Sequence, residues 1–232
     1  MIEFLSWDTD FFGYKVGKVT NLETDIFLVL SEAKKQNYKL LYASLNPNNI
    51  LQNKIYIENN GFLADQKITF LQNIPNDIKI SENKTELYEN TEINQNLISL
   101  ALQSGIYSRF KIDKNFKNQE FERLYTTWIE NSVKKEIAQK VIIQKENNQI
   151  IALLTLGIKN KRADIGILAV DTHCRGKKVG KNLIERAFFE SNLLNQNLIQ
   201  VVTQKANQEA CCFYQKMGFQ IEKIENIYHF WI

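Results

Sequence analysis

Residues 163–180 read A-D-I-G-I-L-A-V-D-T-H-C-R-G-K-K-V-G, and residues 207–219 read N-Q-E-A-C-C-F-Y-Q-K-M-G-F. The first stretch passes from an apolar, strand-like run into a loop of glycines and cations, then into helical periodicity over about 178–192. A strand that delivers such a loop to the start of a helix is a phosphate cradle. Backbone N–H groups point at the anion, and the helix terminus adds a partial positive charge. Cations at a helix N-terminus oppose the macrodipole, so an anionic ligand gives Arg175, Lys177 and Lys178 a reason to be there. Gly176 and Gly180 allow close backbone approach and positive φ. The amides of residues 175–180, Val179 among them, are the expected phosphate contacts. The second stretch puts Tyr214 on a helix over 207–217 with Asn207 at its N-cap. A phenol with a pKa of about 10 is a weak acid suited to protonating a departing thiolate, although an aromatic there also serves as packing.

Outward from these stretches the pattern is regular. Strands are expected at 139–145, 150–158 and 164–170, joined by the turns E-N-N-Q (146–149) and K-N-K-R (159–162). A strand at 198–203 separates the two helices, and a last strand covers 220–231. Upstream, strands at 14–20 and 40–45 flank a helix over 22–37 with Leu22, Ile26, Leu30 and Ala33 on its apolar face. A helix over 48–60 ends at Asn59-Asn60-Gly61, a strand covers 66–73, and N-I-P-N-D (73–77) is a turn. Polar turns and helices fill 78–125, and a helix over 118–132 carries Phe121, Leu124, Tyr125 and Trp128 on one face.

The chain also repeats itself. I-Y-I-E-N-N-G-F (55–62) aligns with C-F-Y-Q-K-M-G-F (212–219) at an offset of 157, which sets Gly61 against Gly218 and Ile57 against Tyr214. L-L-Y-A-S-L (40–45) likewise faces L-I-Q-V-V-T (198–203), and at the 157 offset helix 22–37 faces helix 179–194. Where the second copy has its Arg-Gly loop, the first has V-G-K-V-T-N-L.

Composition removes several function classes. A length of 232 residues suits one large domain or two small ones, and a net charge of +3 is too mild to imply nucleic acid as partner. No apolar run reaches membrane-spanning length, and Glu3 and Asp8 stand where a signal peptide wants cations, so a cytoplasmic protein without a membrane partner is expected. Three cysteines suggest no disulfide framework. Cys211 and Cys212, adjacent on a helix, cannot face one ion, and no metal is expected.

The order β-turn-β-turn-β, loop, α, β, α, β from residue 139 onward, with R-G-K-K-V-G and F-Y-Q-K-M-G-F in place, resembles the GCN5-related N-acetyltransferase (GNAT) superfamily. The resemblance implies a mixed α/β fold of α+β type with a central mixed sheet flanked by helices. It implies a C-terminal acetyltransferase domain over 77–232, preceded by an incomplete GNAT-like domain over 1–76. Acetyl-CoA is the implied co-substrate. Its pyrophosphate belongs on the 175–180 loop and its pantetheine arm on the strand end Leu168, Ala169 and Val170, splayed from the next strand. Asn207 contacts that arm, and Tyr214 is the general acid. His173, Asp171, Glu209, His229 and water all stay open as the base.

Further segments narrow the likeness. W-D-T-D-F-F-G-Y (7–14), Y-S-R-F-K-I-D-K-N-F (107–116), L-Y-T-T-W-I-E-N-S-V (124–133), A-D-I-G-I-L-A and the terminal Y-H-F-W-I resemble the bacterial TDP-fucosamine acetyltransferases. That family acetylates the amine of a dTDP-linked 4-amino-4,6-dideoxy sugar, so the implied partner is a nucleotide-linked amino sugar. A homodimer is compatible with it. Arg109 is then either a phosphate grip or an ordinary surface cation. Trp7 and Phe11, with Phe12 and Tyr14, either line a sugar or base pocket or pack the domain junction. No second acidic pair marks an amine site. Direct attack on the thioester fits better than an acyl-enzyme, since Cys174 lacks a His/Asp partner pattern. The rivals are a GNAT acting on a peptide N-terminus, a polyamine or another small amine, and a non-catalytic acyl-CoA-binding regulator.

Overall fold

The computed structural model describes residues 1–21, 23–75, 77–78 and 84–232. In chain order the elements are β1 (Ile2–Phe4), α1 (Ser6–Phe12), β2 (Val16–Val19), α2 (Ile26–Lys35), β3 (Leu40–Leu45), α3 (Ile50–Glu58) and β4 (Phe62–Asn73). Then come β5 (Thr85–Leu87), α4 (Gln95–Ser104), α5 (Arg109–Ile112), α6 (Glu120–Val133), β6 (Lys140–Glu146), β7 (Gln149–Lys159) and β8 (Arg162–Val170). A 3-10 turn at Thr172–Cys174 leads to α7 (Val179–Leu193), β9 (Leu198–Gln204), α8 (Gln208–Lys216) and β10 (Gln220–Trp231). Among the described residues, no helix is long and apolar enough to cross a membrane.

The chain forms two compact units. One comprises Met1–Ile68 with Gln204–Ala206 and Lys223–Ile232, the other Thr69–Thr203 with Asn207–Glu222. The first unit's strands run in the order β1-β2-β3-β10, so its fourth strand comes from the far end of the chain. β2 and β3 are parallel, and β10 lies antiparallel to β3 from Asn226↔Leu45 to Trp231↔Leu40. Ile26, Val29 and Ala33 of α2 and Tyr56 of α3 pack on Leu41, Ala43, Tyr228 and Phe230.

The second unit holds the order β9-β8-β7-β6-β5, mixed because β8 and β9 are parallel and the other pairs antiparallel. Its hairpins close through two-residue turns. Asn147 and Asn148 have φ of 50° and 62°, and Asn160 and Lys161 have φ of 52° and 60°. Paired left-handed residues of this kind give the turn twist that antiparallel strands need. Leu97, Leu100 and Ala101 of α4 and Ile129 and Val133 of α6 bury one face of the sheet against Val141, Ile143, Leu153, Ile167 and Ala169. α7 lies on the opposite face, where Asn182 donates to Gln144 at 3.1 Å.

From β6 to β10 the elements stand where periodicity puts them, within a residue or two. Upstream the differences have local causes. The helix expected over 22–37 begins only at Ile26, because Asp25 caps it by accepting from the Phe27 N–H at 2.9 Å. Leu22, Asn76 of the 73–77 turn, and residues 79–83 lie outside the described residues. The strand expected at 14–20 is Val16–Val19, and that at 66–73 starts four residues earlier, at Phe62. W-D-T-D-F-F is helical: Trp7 and Phe11 stack one turn apart at 5.1 Å, and Gly13 at φ 75° ends the helix by donating to the Thr9 carbonyl.

The repeat is present in the local structure, but its register is 158, not 157. α3 and α8, and likewise β4 and β10, correspond residue for residue at that offset. Asn49 and Asn207 are both N-caps, with φ/ψ of −81°/73° and −82°/73°. The glycines misled the alignment. Gly218 holds a left-handed turn at φ 93°, and in the first copy that position is Asn60, at φ 63°. Tyr214 therefore corresponds to Tyr56, not to Ile57.

Candidate active site

The loop after β8 begins with Asp171, whose carboxylate accepts from the His173 N–H at 3.0 Å. It continues through Gly176 at φ 76° to Lys178 at φ 64°. Lys178 is the N-cap of α7 and provides no side-chain hydrogen bond to the first turn. The amides at this helix end are therefore uncapped, with their partial positive charge directed at the loop. The corresponding helix α2 is the opposite case, starting about a turn later and closed by the Asp25 carboxylate. One copy leaves its helix N-terminus without a side-chain cap, and the other caps its own.

Of the two loop glycines, only Gly176 has positive φ; the second left-handed position is the lysine at 178. A Cβ on Gly176 would meet nothing within 4 Å. Gly180 sits inside α7, and a Cβ there would lie 3.1 Å from the Phe213 ring and 3.8 Å from Val170 Cγ2. Its smallness serves the seating of α8 against α7, a correction to the expectation of positive φ at 180.

Three contacts draw the expected cofactor residues together. Arg175 Nε donates to the Val170 carbonyl at 3.2 Å, and its Nη1 pairs with Glu209 Oε2 at 3.3 Å on the first turn of α8. Phe213 packs on Gly180. Arg175 thus braces the strand end, the loop and α8. Asn207 accepts from the Ala210 N–H at 3.1 Å as an N-cap. One turn further along, Tyr214 is buried among Phe70, Phe213 and Phe219, with ring centroids 5.7, 5.4 and 5.7 Å away. Burial, with the Cys211 thiol adding to it, pushes its hydroxyl pKa above the usual value. The phenol stays protonated throughout the neutral range.

The end of β8 is free on one side. Its ladder with β9 stops at Ile165↔Val201, while pairing with β7 continues to Ala152↔Val170. Leu168, Ala169 and Val170 therefore lie beyond the β9 pairing. The register with β7 slips between Leu154 and Leu156, where Thr155 faces both Gly166 and Ile167. Thr155 Oγ1 accepts from the Ile167 N–H at 2.8 Å. Sequence reading passed over this pair. The available signal was a single hydroxyl inside the apolar run I-I-A-L-L-T-L (150–156), matched by a glycine in the next strand.

Cys174 is buried, 3.7 Å from Glu146 Oε2. Burial, followed by the Glu146 carboxylate, raises its thiol pKa and disfavours the thiolate. Among the base candidates, His173 is exposed, Asp171 caps the 3-10 turn, Glu209 holds Arg175, and His229 is buried beside Tyr42 in the first unit. Arg109 stands on α5 in the second unit with its guanidinium 4.6 Å over the Phe110 ring. Trp7 and Phe11 lie on α1 of the first unit, Trp7 47% exposed.

Residues 138–221 match the family described as acetyltransferase (GNAT) domain. A spore coat polysaccharide biosynthesis protein, SpsD of Bacillus subtilis, is 23% identical over 135 residues, 58% of this chain and 46% of SpsD. The chain spans about half the length of the curated relatives it matches. A functionally unknown conserved protein from Staphylococcus epidermidis aligns with TM-score 0.62 and 10% identity over 93% of this chain and 83% of its own. A tandem GNAT protein from the clavulanic acid biosynthesis pathway aligns with TM-score 0.55 and 12% identity over 93% and 75%. Over residues 138–221, then, the chain is similar to the acetyltransferase domain of the GNAT superfamily.

Proposed function

We propose that the protein transfers acetyl from acetyl-CoA to the amine of a nucleotide-linked amino sugar, of the dTDP-4-amino-4,6-dideoxy class, by direct attack in a ternary complex. The observation that carries the reading is the uncapped N-terminus of α7. It lies behind a loop with two left-handed residues and three cations, and Phe213 against Gly180 ties it to the helix of Tyr214. In this reading the amides of residues 175–180 hold the pyrophosphate, with charge from Lys177, Lys178 and Arg175. Leu168, Ala169 and Val170 present backbone groups to the pantetheine amides, and Asn207 borders the same arm.

Bound there, acetyl-CoA supplies an activated thioester. Tyr214 hydrogen-bonds to the sulfur and delivers its proton as the C–N bond forms and the C–S bond breaks. The surplus proton of the amine passes to water, and Tyr214 regains a proton from solvent before the next turnover. Burial and the Glu146 carboxylate raise the Cys174 thiol pKa, which favours direct attack over an acyl-enzyme on that residue. Arg109 contributes to the diphosphate site.

The acceptor class rests on the five short motifs shared with TDP-fucosamine acetyltransferases and on the likeness to a polysaccharide biosynthesis protein. Thiol release from acetyl-CoA, measured with a panel of dTDP- and UDP-amino sugars, peptides and polyamines, tests the reading. Turnover with a dTDP-amino sugar is expected. Turnover with peptides or polyamines alone contradicts the acceptor class, and no turnover with any amine favours an acyl-CoA-binding regulator.

A further inference from the structure

The run Ile150–Leu156 of β7 is wholly buried, and Thr155 is its one polar side chain. A hydroxyl in such a place is costly unless it is hydrogen-bonded. Its partner is the N–H of Ile167, an amide that the bulge leaves off the ladder with β7. Gly166 completes the arrangement, since a Cβ there would stand 2.9 Å from Thr155 Oγ1.

The bulge changes which way β8 faces. Ile165 is paired with Leu156 and Leu168 with Leu154, so residues three apart share one face of the sheet. Ile167 and Ala169 are thereby turned into the core beneath α4 and α6. An unbulged strand would place Ile165, Ile167 and Ala169 on one face. The bulge is also where the ladder with β9 ends, at Ile165↔Val201. The segment 166–170 departs from β9 at the residue pair that Thr155 holds.

We propose that Thr155 is a positioning residue for acyl-donor binding: its hydroxyl, bonded to the Ile167 amide opposite Gly166, fixes the bulge that turns the edge 168–170 away from β9. The proposal rests on the reading of that edge as the pantetheine site. A bulge that re-aims a strand without its lock relaxes toward other registers. A displaced edge meets the pantetheine amides with poorer hydrogen-bond geometry, and the loss of one such bond weakens binding about five- to tenfold.

The test compares Thr155→Val, which keeps the shape and removes the acceptor, with Thr155→Ser, which keeps the acceptor. Acetyl-CoA affinity is read by calorimetry, the KM values for acetyl-CoA and for the amine are read separately, and Ile167 amide exchange is followed by NMR. Thr155→Val is expected to raise the acetyl-CoA Kd and KM about tenfold, leave the amine KM within about twofold, and speed Ile167 exchange. Thr155→Ser is expected to stay within about twofold of the unmodified protein. Should Thr155→Val not fold, Gly166→Ala crowds the same hydroxyl and is expected to raise the acetyl-CoA KM alone. Unchanged acetyl-CoA affinity in a folded Thr155→Val, or in Gly166→Ala, overturns the proposal. If the unmodified protein binds no acetyl-CoA, the pantetheine reading fails instead, and Ile167 exchange still reports whether Thr155 holds the bulge.

Discussion

Tyr56 and Tyr214 occupy the same position in two copies of one helix, each seven residues after an asparagine N-cap. Each also accepts at its carbonyl the N–H five residues on, from Gly61 at 2.8 Å and from Phe219 at 3.0 Å. Their surroundings separate their uses. Tyr56 lies between Tyr228 and Phe230, and its buried hydroxyl has no hydrogen-bond partner among the described residues. It packs in a unit whose helix α2 is capped by the Asp25 carboxylate.

Tyr56→Phe is therefore expected to be neutral or stabilising by about 1 kcal/mol at neutral pH, because it removes a buried unpaired group. Burial raises the Tyr56 pKa to about 12. The unfolded chain, with an ordinary phenol of about 10, ionises first as pH rises. The stability contributed by protonated Tyr56 is thus complete below pH 10 and lost toward pH 12. Urea midpoints at pH 7 and pH 11 check both statements, and Tyr56→Phe should lessen the alkaline loss. A clear loss of stability at pH 7 contradicts the account.

Lys178 combines two properties that a substitution can separate. Its left-handed backbone costs a non-glycine residue on the order of 1 kcal/mol, and its charge faces an uncapped helix end. Lys178→Gly is expected to raise stability by about 0.5–1 kcal/mol while increasing the acetyl-CoA KM several-fold, less at high salt. Thermal denaturation and kinetics at two ionic strengths measure this. A lower melting temperature, or a salt-independent KM, would count against it.

Glu225 governs the acid side of the first unit. Burial acts to raise its pKa, but hydrogen bonds from Lys223, Lys67 and Ser44 prevail and bring it down to about 2. Its stabilisation is present above pH 4.5, the ordinary value, and lost as pH falls toward 2. Replacing it with Gln should reduce stability at pH 7 by a few kcal/mol and flatten the dependence between pH 4.5 and 2. An unaltered acid profile rules this role out.

The second unit was legible because its signals are local. The asparagine turns at 147–148 and 160–161, the alternation of β8 and the N-cap at Asn207 each follow from neighbouring residues. What escaped needed the third dimension. A glycine at 180 reads as a loop residue until the Phe213 ring is seen against it. Thr155 reads as a conservative variation in an apolar strand until the Ile167 amide is found opposite. The repeat was visible, but matching glycine to glycine gave the wrong register, because asparagine tolerates the same left-handed turn. That one-residue slip hid Tyr56.

The most direct measurement is of Tyr214→Phe, comparing kcat with the equilibrium affinity for acetyl-CoA. Loss of the proton donor at the sulfur is expected to lower kcat about a hundredfold, with the acetyl-CoA Kd within about twofold and the fold intact. A kcat equal to that of the unmodified protein would remove Tyr214 as the acid and contradict the account at its centre.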